Sequence, residues 1–414
     1  METIGVGSAG RWSRFSEENV VESEVGVLQR VLVHRPGREL DWVVPDDLGE
    51  LLFDEVPWLE AVQSEHDQFT AVMREHGVEV CYLGQLLAEA LVDPVTRYEL
   101  TRAAVDRAVL GEALYDAVVD HLDGLSSGEL AERLIAGVAL GEIAQLPRTL
   151  VTCSGPDLAF VVNPLPNQQF VRDSGSWIGR GVSVNRLAKP ARVREAHQVK
   201  AVLRLLGGRV LWPGGSPPAP LEGGDVLVVG QGCVVVGVGE RTVAAAVEAL
   251  AAQLYDQQIA HTVIAVLLPK GRPTMHLDTV MTMVDWDTFL VSPLHLRQCQ
   301  AFRLIPRGGG VRAVAVDDLF REIARALGVA GVRVIPIGGD SCAQRREQWS
   351  DAANVLAMRP GVVIAYDRNV HTNELLSHFG ITVLPVASAE LSRGRGGPHC
   401  LSCPWWRGDN DKVL

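Results

Sequence analysis

The sequence predicts an α/β protein: five geometric repeats of one unit, closed into a propeller-like ring, with a helical segment inserted after the first repeat. Three observations lead there. An apolar hairpin, a helix and a short closing strand recur in the same order along the chain. A polar loop introduces each set, and the recurrence is one of pattern, not of copied residues. One stretch, about Gln85 to Leu146, departs from it, being rich in Ala, Leu, Glu and Arg with few β-branched runs. Ring closure would bring equivalent loops from distant positions to one face.

The first unit opens with Val31-Leu-Val-His34, stopped by Arg35-Pro36-Gly37. Its helix is expected from Leu59 to His76, where Phe69, Val72 and Met73 share a face and Gly77 ends it. Val78 to Tyr82 closes the unit. In the second, Trp177-Ile178 and Val182 to Val184 flank a Gly-Arg-Gly turn. A helix starts near Pro190 and stops at Gly207-Gly208, and Arg209 to Trp212 closes. In the third, Val226 to Val229 and Cys233 to Val238 flank Gly230-Gln-Gly232. Thr242 is the expected cap of a helix reaching about Tyr255, and Thr262 to Leu268 closes.

The fourth unit pairs Val280 to Val284 with Phe289 to Val291 around Asp285-Trp-Asp287. Its helix runs from Asp318 to Leu327 with Asp317 as cap and Gly328 as stop, and Val332 to Ile337 closes. The fifth pairs Val355 to Met358 with Val362 to Tyr366 around Arg359-Pro-Gly361. Thr372 caps its helix, Gly380 stops it, and Ile381 to Val386 closes. Within the odd stretch, Ala103, Ala104, Arg107, Ala108 and Leu110 fall in one helical pattern, and Ser126-Ser127 with Glu129 reads as another helix start. The expected domains are 1–84 (first propeller module), 85–148 (inserted helical bundle) and 149–414 (remaining modules, with a C-terminal cysteine loop).

Composition narrows the function. The chain has 414 residues, 47% hydrophobic and 21% charged, which is ordinary for a globular protein. Its net charge of −12 is a poor match for nucleic acid or an anionic membrane and is compatible with a small cationic substrate. Met1 to Val20 has no apolar core and does not read as a signal peptide. No apolar run is long enough to span a bilayer. Seven scattered cysteines fit free thiols in a reducing cytoplasm. Cys400-Leu-Ser-Cys403 is a CxxC, but it has no second pair and Pro404 follows, which disfavours zinc or a redox couple.

The chemistry centres on Arg393-Gly-Arg395-Gly-Gly-Pro-His399-Cys400, a loop too rich in Gly and Pro to continue a helix or strand. It sets one thiol beside two guanidinium groups and an imidazole, neighbours that would favour the thiolate. The other polar loops supply Asn167-Gln-Gln-Phe170-Val-Arg172-Asp173, Leu221-Glu222-Gly-Gly-Asp225, Met275-His276-Leu-Asp278-Thr279 and Gly338-Gly-Asp340. His276 and Asp278, at i and i+2 on extended chain, would point the same way. A peptidase needs one acid to orient its His. Several carboxylates around a thiol instead suit a guanidinium, whose in-plane donors pair with them.

Four of these segments, Phe170-Val-Arg-Asp173, Leu221-Glu-Gly-Gly-Asp225, Met275-His-Leu-Asp-Thr279 and Gly394-Arg-Gly-Gly-Pro-His-Cys400, resemble bacterial arginine deiminases. So do Ser23-Glu-Val-Gly26 with Arg30-Val-Leu-Val-His-Arg-Pro36, and Leu51-Leu-Phe-Asp54. These enzymes belong to the guanidino-group-modifying, pentein superfamily, with a five-bladed pseudo-fivefold α/β-propeller. The likeness covers essentially the whole chain, including the helical insert; Val171 departs from the Thr of many members.

The resemblance implies hydrolysis of free L-arginine to L-citrulline and ammonia, without metal or organic cofactor. By motif position Cys400 would be the nucleophile and His276 the general acid, then base. Asp173 and Asp278 would hold the guanidinium, and Glu222 would support His276 and the substrate nitrogen. Arg192, Arg241 and Arg395, with Asn167, would take the substrate carboxylate, and Phe170 and Asp225 would complete the substrate pocket. A homo-oligomer in the cytoplasm is expected.

Two kinds of alternative stay open. One is another enzyme of the same superfamily: an agmatine deiminase, a dimethylarginine hydrolase or an amidinotransferase. The insert and the arginine set favour free arginine. The other is a non-catalytic arginine sensor, against which the complete Cys, His and acid set argues.

Overall fold

The structure, a computed structural model, describes residues 19–153, 160–207, 209–212 and 219–408. Gly208 and nearly all of Met1 to Val20, on which two expectations fell, lie outside the described residues.

Each predicted unit forms one sheet of the same plan: an antiparallel hairpin whose second strand pairs in parallel with a strand reached through a helix. In the second unit the hairpin is Gly175–Ile178 with Gly181–Val184, the helix Glu195–Leu205, and the parallel strand Arg209–Trp212. The third has Val226–Gly230, Cys233–Val238, helix Ala244–Asp256 and Thr262–Leu267. The fourth has Met281–Asp285, Thr288–Val291, helix Leu319–Leu327 and Arg333–Pro336. The fifth has Leu356–Arg359, Val362–Tyr366, helix Val370–His378 and Thr382–Val386.

The first sheet is completed differently. Val27–Val33 pairs in parallel with Glu79–Tyr82 after helix Leu59–Glu75, but its antiparallel partner is Cys403–Gly408, from the far end of the described chain. The first strands of neighbouring sheets approach one another. Met281–Asp285 lies beside Leu356–Arg359, which lies beside Val27–Val33, and Cys403–Gly408 lies beside Gly175–Ile178. Elsewhere in the sheets, Val226–Gly230 and Val362–Tyr366 are wholly buried, as near-continuous Val and Ile runs require.

Four helices, Leu83–Ala90, Pro94–Ala103, Arg107–Asp123 and Ser127–Ala136, occupy the stretch that lacked the repeat. Ser126 caps the last of them and Glu129 returns the bond, as the sequence suggested. Their inward residues, such as Leu87, Leu114 and Leu134, share one buried cluster with Val182, Val199 and Val202 of the second unit.

Several local expectations are corrected. Asp318, not Asp317, caps Leu319–Leu327, accepting from the Arg321 N–H. Thr242 does not cap its helix, since Val243 precedes Ala244; its hydroxyl accepts the Glu222 N–H instead. Thr372 lies inside Val370–His378, and its hydroxyl bridges Gly338 and Glu347. A hairpin of Gln300–Arg307 and Gly310–Val316, unforeseen in the sequence, extends the third sheet to five strands.

Candidate active site

The candidate residues stand immediately before the first strand of each hairpin. Asp173 precedes Gly175–Ile178, and Glu222 and Asp225 precede Val226–Gly230. His276 and Asp278 precede Met281–Asp285, and Cys400 precedes Cys403–Gly408. Tight 3₁₀ turns at Gly223–Asp225 and Leu277–Thr279 swing these side chains off the strand direction.

The second of those turns corrects the reading of His276 and Asp278 as neighbours on extended chain. Asp225 captures the Leu277 N–H through Oδ1 at 2.8 Å, and the Thr279 hydroxyl donates to the His276 carbonyl at 2.7 Å. The chain curls there, so His276 meets Glu222 and Asp173 while Asp278 meets Cys400 and His399.

The fourth unit's loop is the other correction. Asp340 lies on the surface and caps helix Ser341–Trp349, accepting from Cys342 and Ala343. That helix displaces the polar position by about a dozen residues, and the group standing before Leu356–Arg359 is Asn354. Its Nδ2 donates to Cys400 Sγ at 3.1 Å and its Oδ1 accepts the Cys400 N–H at 3.1 Å.

Around the thiol the neighbours are anionic, contrary to the sequence expectation of cations. Cys400 Sγ lies 3.4 Å from Asp278 Oδ2. Burial, with the charges of Asp278, Asp173 and Asp351, pushes the thiol well above its usual range. Of the loop's basic residues, Arg393 and His399 are taken by acids. Arg393 pairs with Glu55 and Glu390. His399 bridges Asp278 (2.8 Å) and Glu24 (3.1 Å). Arg395 packs over Trp349 with its guanidinium carbon 3.8 Å from the ring centroid.

His276 Nε2 lies 2.6 Å from Glu222 Oε2 and Nδ1 3.7 Å from Asp173 Oδ1. Burial works to lower its pKa. Asp173, the Glu222 bond and Asp225 outweigh burial and raise it to about 10, so the ring is cationic at neutral pH. Burial in turn raises Asp225 to about 7. Asp278 is held low despite burial, chiefly by its bond to His399, and its Oδ1 has no partner among the described residues.

Arg192 and Arg241 are buried, not solvated. Arg192 spends its donors on Asp173 (2.6 Å), Glu195 (2.8 Å) and the carbonyls of Asn167 and Phe170. Arg241 donates to Glu222 Oε2 at 3.3 Å. Arg395 differs: all three of its guanidinium nitrogens lack a hydrogen-bond partner among the described residues, with Asp351 at 3.9 Å. Asn167 donates to the Leu51 carbonyl. Phe170 packs against the loop so closely that a Cβ on Gly396 would sit 2.4 Å from its ring.

Asn167, Phe170, Asp173, Arg192, Arg241, His276, Arg395 and Cys400 line one small cavity. Asp225, expected in the substrate pocket, does not; it lies behind His276, holding the Leu277 turn. The space left is about 10 Å³, about one water. Asp173, Glu222 and His276 converge closely enough to suggest a metal ion. Their ligand atoms are already paired with Arg192, Arg241 and one another, which suits the trio poorly to a metal ion.

Sequence reasoning missed Asn354, Asp351 and Glu195, and cited Glu24 only within a motif. A signal existed for Asn354: it stands two residues before a hairpin strand, as Asp173 does.

Two solved structures share the fold. One is a mutant of DDAH from Pseudomonas aeruginosa complexed with citrulline: 15% identical, TM-score 0.51, covering 91% of this chain and 99% of that one. The other is the substrate-bound N-terminal domain of ArgZ, an arginine dihydrolase from cyanobacteria: 14% identical, TM-score 0.54, covering 91% and 98%. At 14–15% identity these likenesses show a shared fold. The family model for arginine deiminase matches residues 49–407. The arginine deiminases of Rhodococcus opacus and Mycobacterium marinum are each 44% identical over 389 residues, 92% of this chain and 96% of theirs. The chain belongs to the arginine deiminase family.

Proposed function

We propose that this protein hydrolyses free L-arginine to L-citrulline and ammonia through a covalent intermediate on Cys400. The observation that carries the reading is the convergence of Cys400, His276, Glu222, Asp173 and Asp278 in a chain 44% identical to arginine deiminases.

The substrate guanidinium takes Asp173 from Arg192 and meets the unpartnered Asp278 Oδ1, and the paired carboxylates fix its plane with the central carbon facing sulfur. Its positive charge offsets the carboxylates that hold the thiol up, so Cys400 ionises when substrate binds, its proton passing to solvent water, from which the released ammonia becomes ammonium. Sulfur attacks the carbon. His276, already protonated, passes its proton to the departing nitrogen, which leaves as ammonia. A planar thiouronium remains. Neutral His276 takes a proton from water, the oxygen attacks, the C–S bond breaks, and citrulline leaves. Arg395, with uncommitted donors, is the leading partner for the substrate carboxylate, joined by Arg241, Arg192 and Asn167. The remaining space is far smaller than arginine, so side chains must shift on binding.

We also infer that the five sheets close into a five-bladed propeller, residues 1–84 and 149–414, with 85–148 inserted as a helical bundle. The pairing of Val27–Val33 with Cys403–Gly408 supports closure. The deciding assay is citrulline detection after incubating the protein with L-arginine. Citrulline from wild type but not Cys400→Ser establishes reaction and nucleophile; none from either, with turnover of agmatine or methylated arginines, would move the substrate assignment.

A further inference from the structure

Trp349 ends helix Ser341–Trp349, the element that carries Asp340 to the surface. Its ring is 50% exposed, and the Arg395 guanidinium carbon lies 3.8 Å from its centroid. Arg395 lines the catalytic cavity and Trp349 does not. Trp349 lines an outer groove with Arg346, Arg368 and His371, and Arg395 does not. The ring therefore backs the guanidinium from the solvent side. The same short segment reaches the nucleophile, since Asn354, five residues on, bonds Cys400.

A cation over a ring face is held by the quadrupole of the ring, and no hydrogen bond is consumed. All three guanidinium nitrogens of Arg395 accordingly lack a hydrogen-bond partner among the described residues. An acid would hold the cation differently. Asp351 is buried beside it, with neither carboxylate oxygen hydrogen-bonded among the described residues, and its Oδ1 lies 3.9 Å from Arg395 Nη2. That gap is about 1 Å longer than a formed ion-pair hydrogen bond. Closure of Arg395 on Asp351 would spend the donors that a substrate carboxylate needs. The backbone marks Arg395 as a position kept for its side chain. Its φ is +62°, in the left-handed region that favours glycine, although the loop has glycine at 394, 396 and 397.

We propose that Trp349 is a positioning residue for substrate recognition: its ring keeps the Arg395 guanidinium off Asp351, with its donors unspent, for a guanidine substrate that ends in a carboxylate. This rests on the reading of Arg395 as the carboxylate partner. Trp349 touches no reacting atom in that role, so its loss weakens binding and spares the chemical step.

The test is a double-mutant cycle on the full-length protein, with L-arginine as substrate and Trp349→Ala, Trp349→Phe and Arg395→Ala as variants. Trp349→Ala should raise KM about tenfold and change kcat less than about twofold. Trp349→Phe keeps a ring face and should recover most of the loss. In the Arg395→Ala background, Trp349→Ala should add no further rise, because the ring then holds nothing. Calorimetric titration of L-arginine into the Cys400→Ala forms of the same proteins should show the same pattern in Kd without turnover. Absence of citrulline from wild type would therefore sink the proposed reaction and leave the comparison of affinities in force. Unchanged affinity in Trp349→Ala, a loss that Trp349→Phe does not relieve, or the same loss with and without Arg395 would overturn the role of Trp349. No binding of L-arginine to Cys400→Ala would overturn both readings.

Discussion

The two ends of the same strands are built on opposite principles. Where the hairpin strands begin, buried ionic groups are tightly cross-paired, and the cavity lined by Asp173, His276 and Cys400 measures about 10 Å³. Where the strands turn back, about 770 Å³ stays open. Both ends rest on equally buried strands, so the difference lies in the connecting segments. The starts are held by 3₁₀ turns whose N–H groups are taken by acids, such as Leu277 by Asp225. The turns are short loops, glycine-containing in the second, third and fifth sheets and Asp285-Trp-Asp287 in the fourth. Fixed charges at one end are what a reaction with shifting charge needs, since they do not reorganise as it proceeds.

The contrast can be broken most severely at sulfur. Cys400→Ser should reduce citrulline formation on the order of a thousandfold or more while circular dichroism stays unchanged. Substantial residual turnover would remove Cys400 from its role. Next comes the His276–Glu222 pair. Glu222→Gln removes an anion that holds His276 near 10, so the alkaline limb of the rate profile should fall by about one pH unit or more. The same pair sets a stability trend. The folded pKa of His276, about 10, exceeds its ordinary 6.5, so the stability it lends is complete below about pH 6.5 and is lost as pH rises towards 10. The thermal midpoint of the ligand-free protein should decline over that interval, and Glu222→Gln should flatten the decline.

A smaller effect is expected at the carboxylate end of the substrate. Arg395→Ala should raise KM for L-arginine by about 10- to 100-fold and leave agmatine, which lacks the carboxylate, nearly unaffected. Arg241→Ala is a less clean probe than the sequence suggested, because Arg241 also holds Glu222 and its loss should slow both substrates. Smallest of all, Asp340→Ala should lower the thermal midpoint slightly, as a lost helix cap, and leave turnover unchanged. A large loss of activity there would restore Asp340 to the site.

The reasons for these rankings also mark what the sequence disclosed. Hairpins and helices carried strong apolar periodicity, and glycine turns bounded them, so all five units emerged from the residues alone. Cys400, His276, Glu222 and Asp173 stood in loops too polar to be buried without purpose. Asp340 misled because an acid beside two glycines looks alike whether it caps a helix or faces a thiol; only helix Ser341–Trp349, of weak amphipathic pattern, separates the cases. The charge around Cys400 was misjudged for a related reason. Proximity in sequence placed Arg393, Arg395 and His399 beside the thiol, whereas partners far along the chain, Glu55, Trp349 and Glu24, draw them away. Hairpin Gln300–Arg307 with Gly310–Val316 was missed because few of its residues are buried, so its apolar alternation is weak.

The pairing of Val27–Val33 with Cys403–Gly408 bears on how the protein is made. His399 and Glu24 are 375 residues apart, and contacts of such span form late. A ribosome adding about 5–20 residues per second would take roughly 20–75 s to deliver the second after the first. During that time one edge of Val27–Val33 waits without its strand, a surface that chaperones would need to shield. The nucleophile arrives with the same closing segment. Activity in a growing chain therefore waits on the segment that pairs with Val27–Val33.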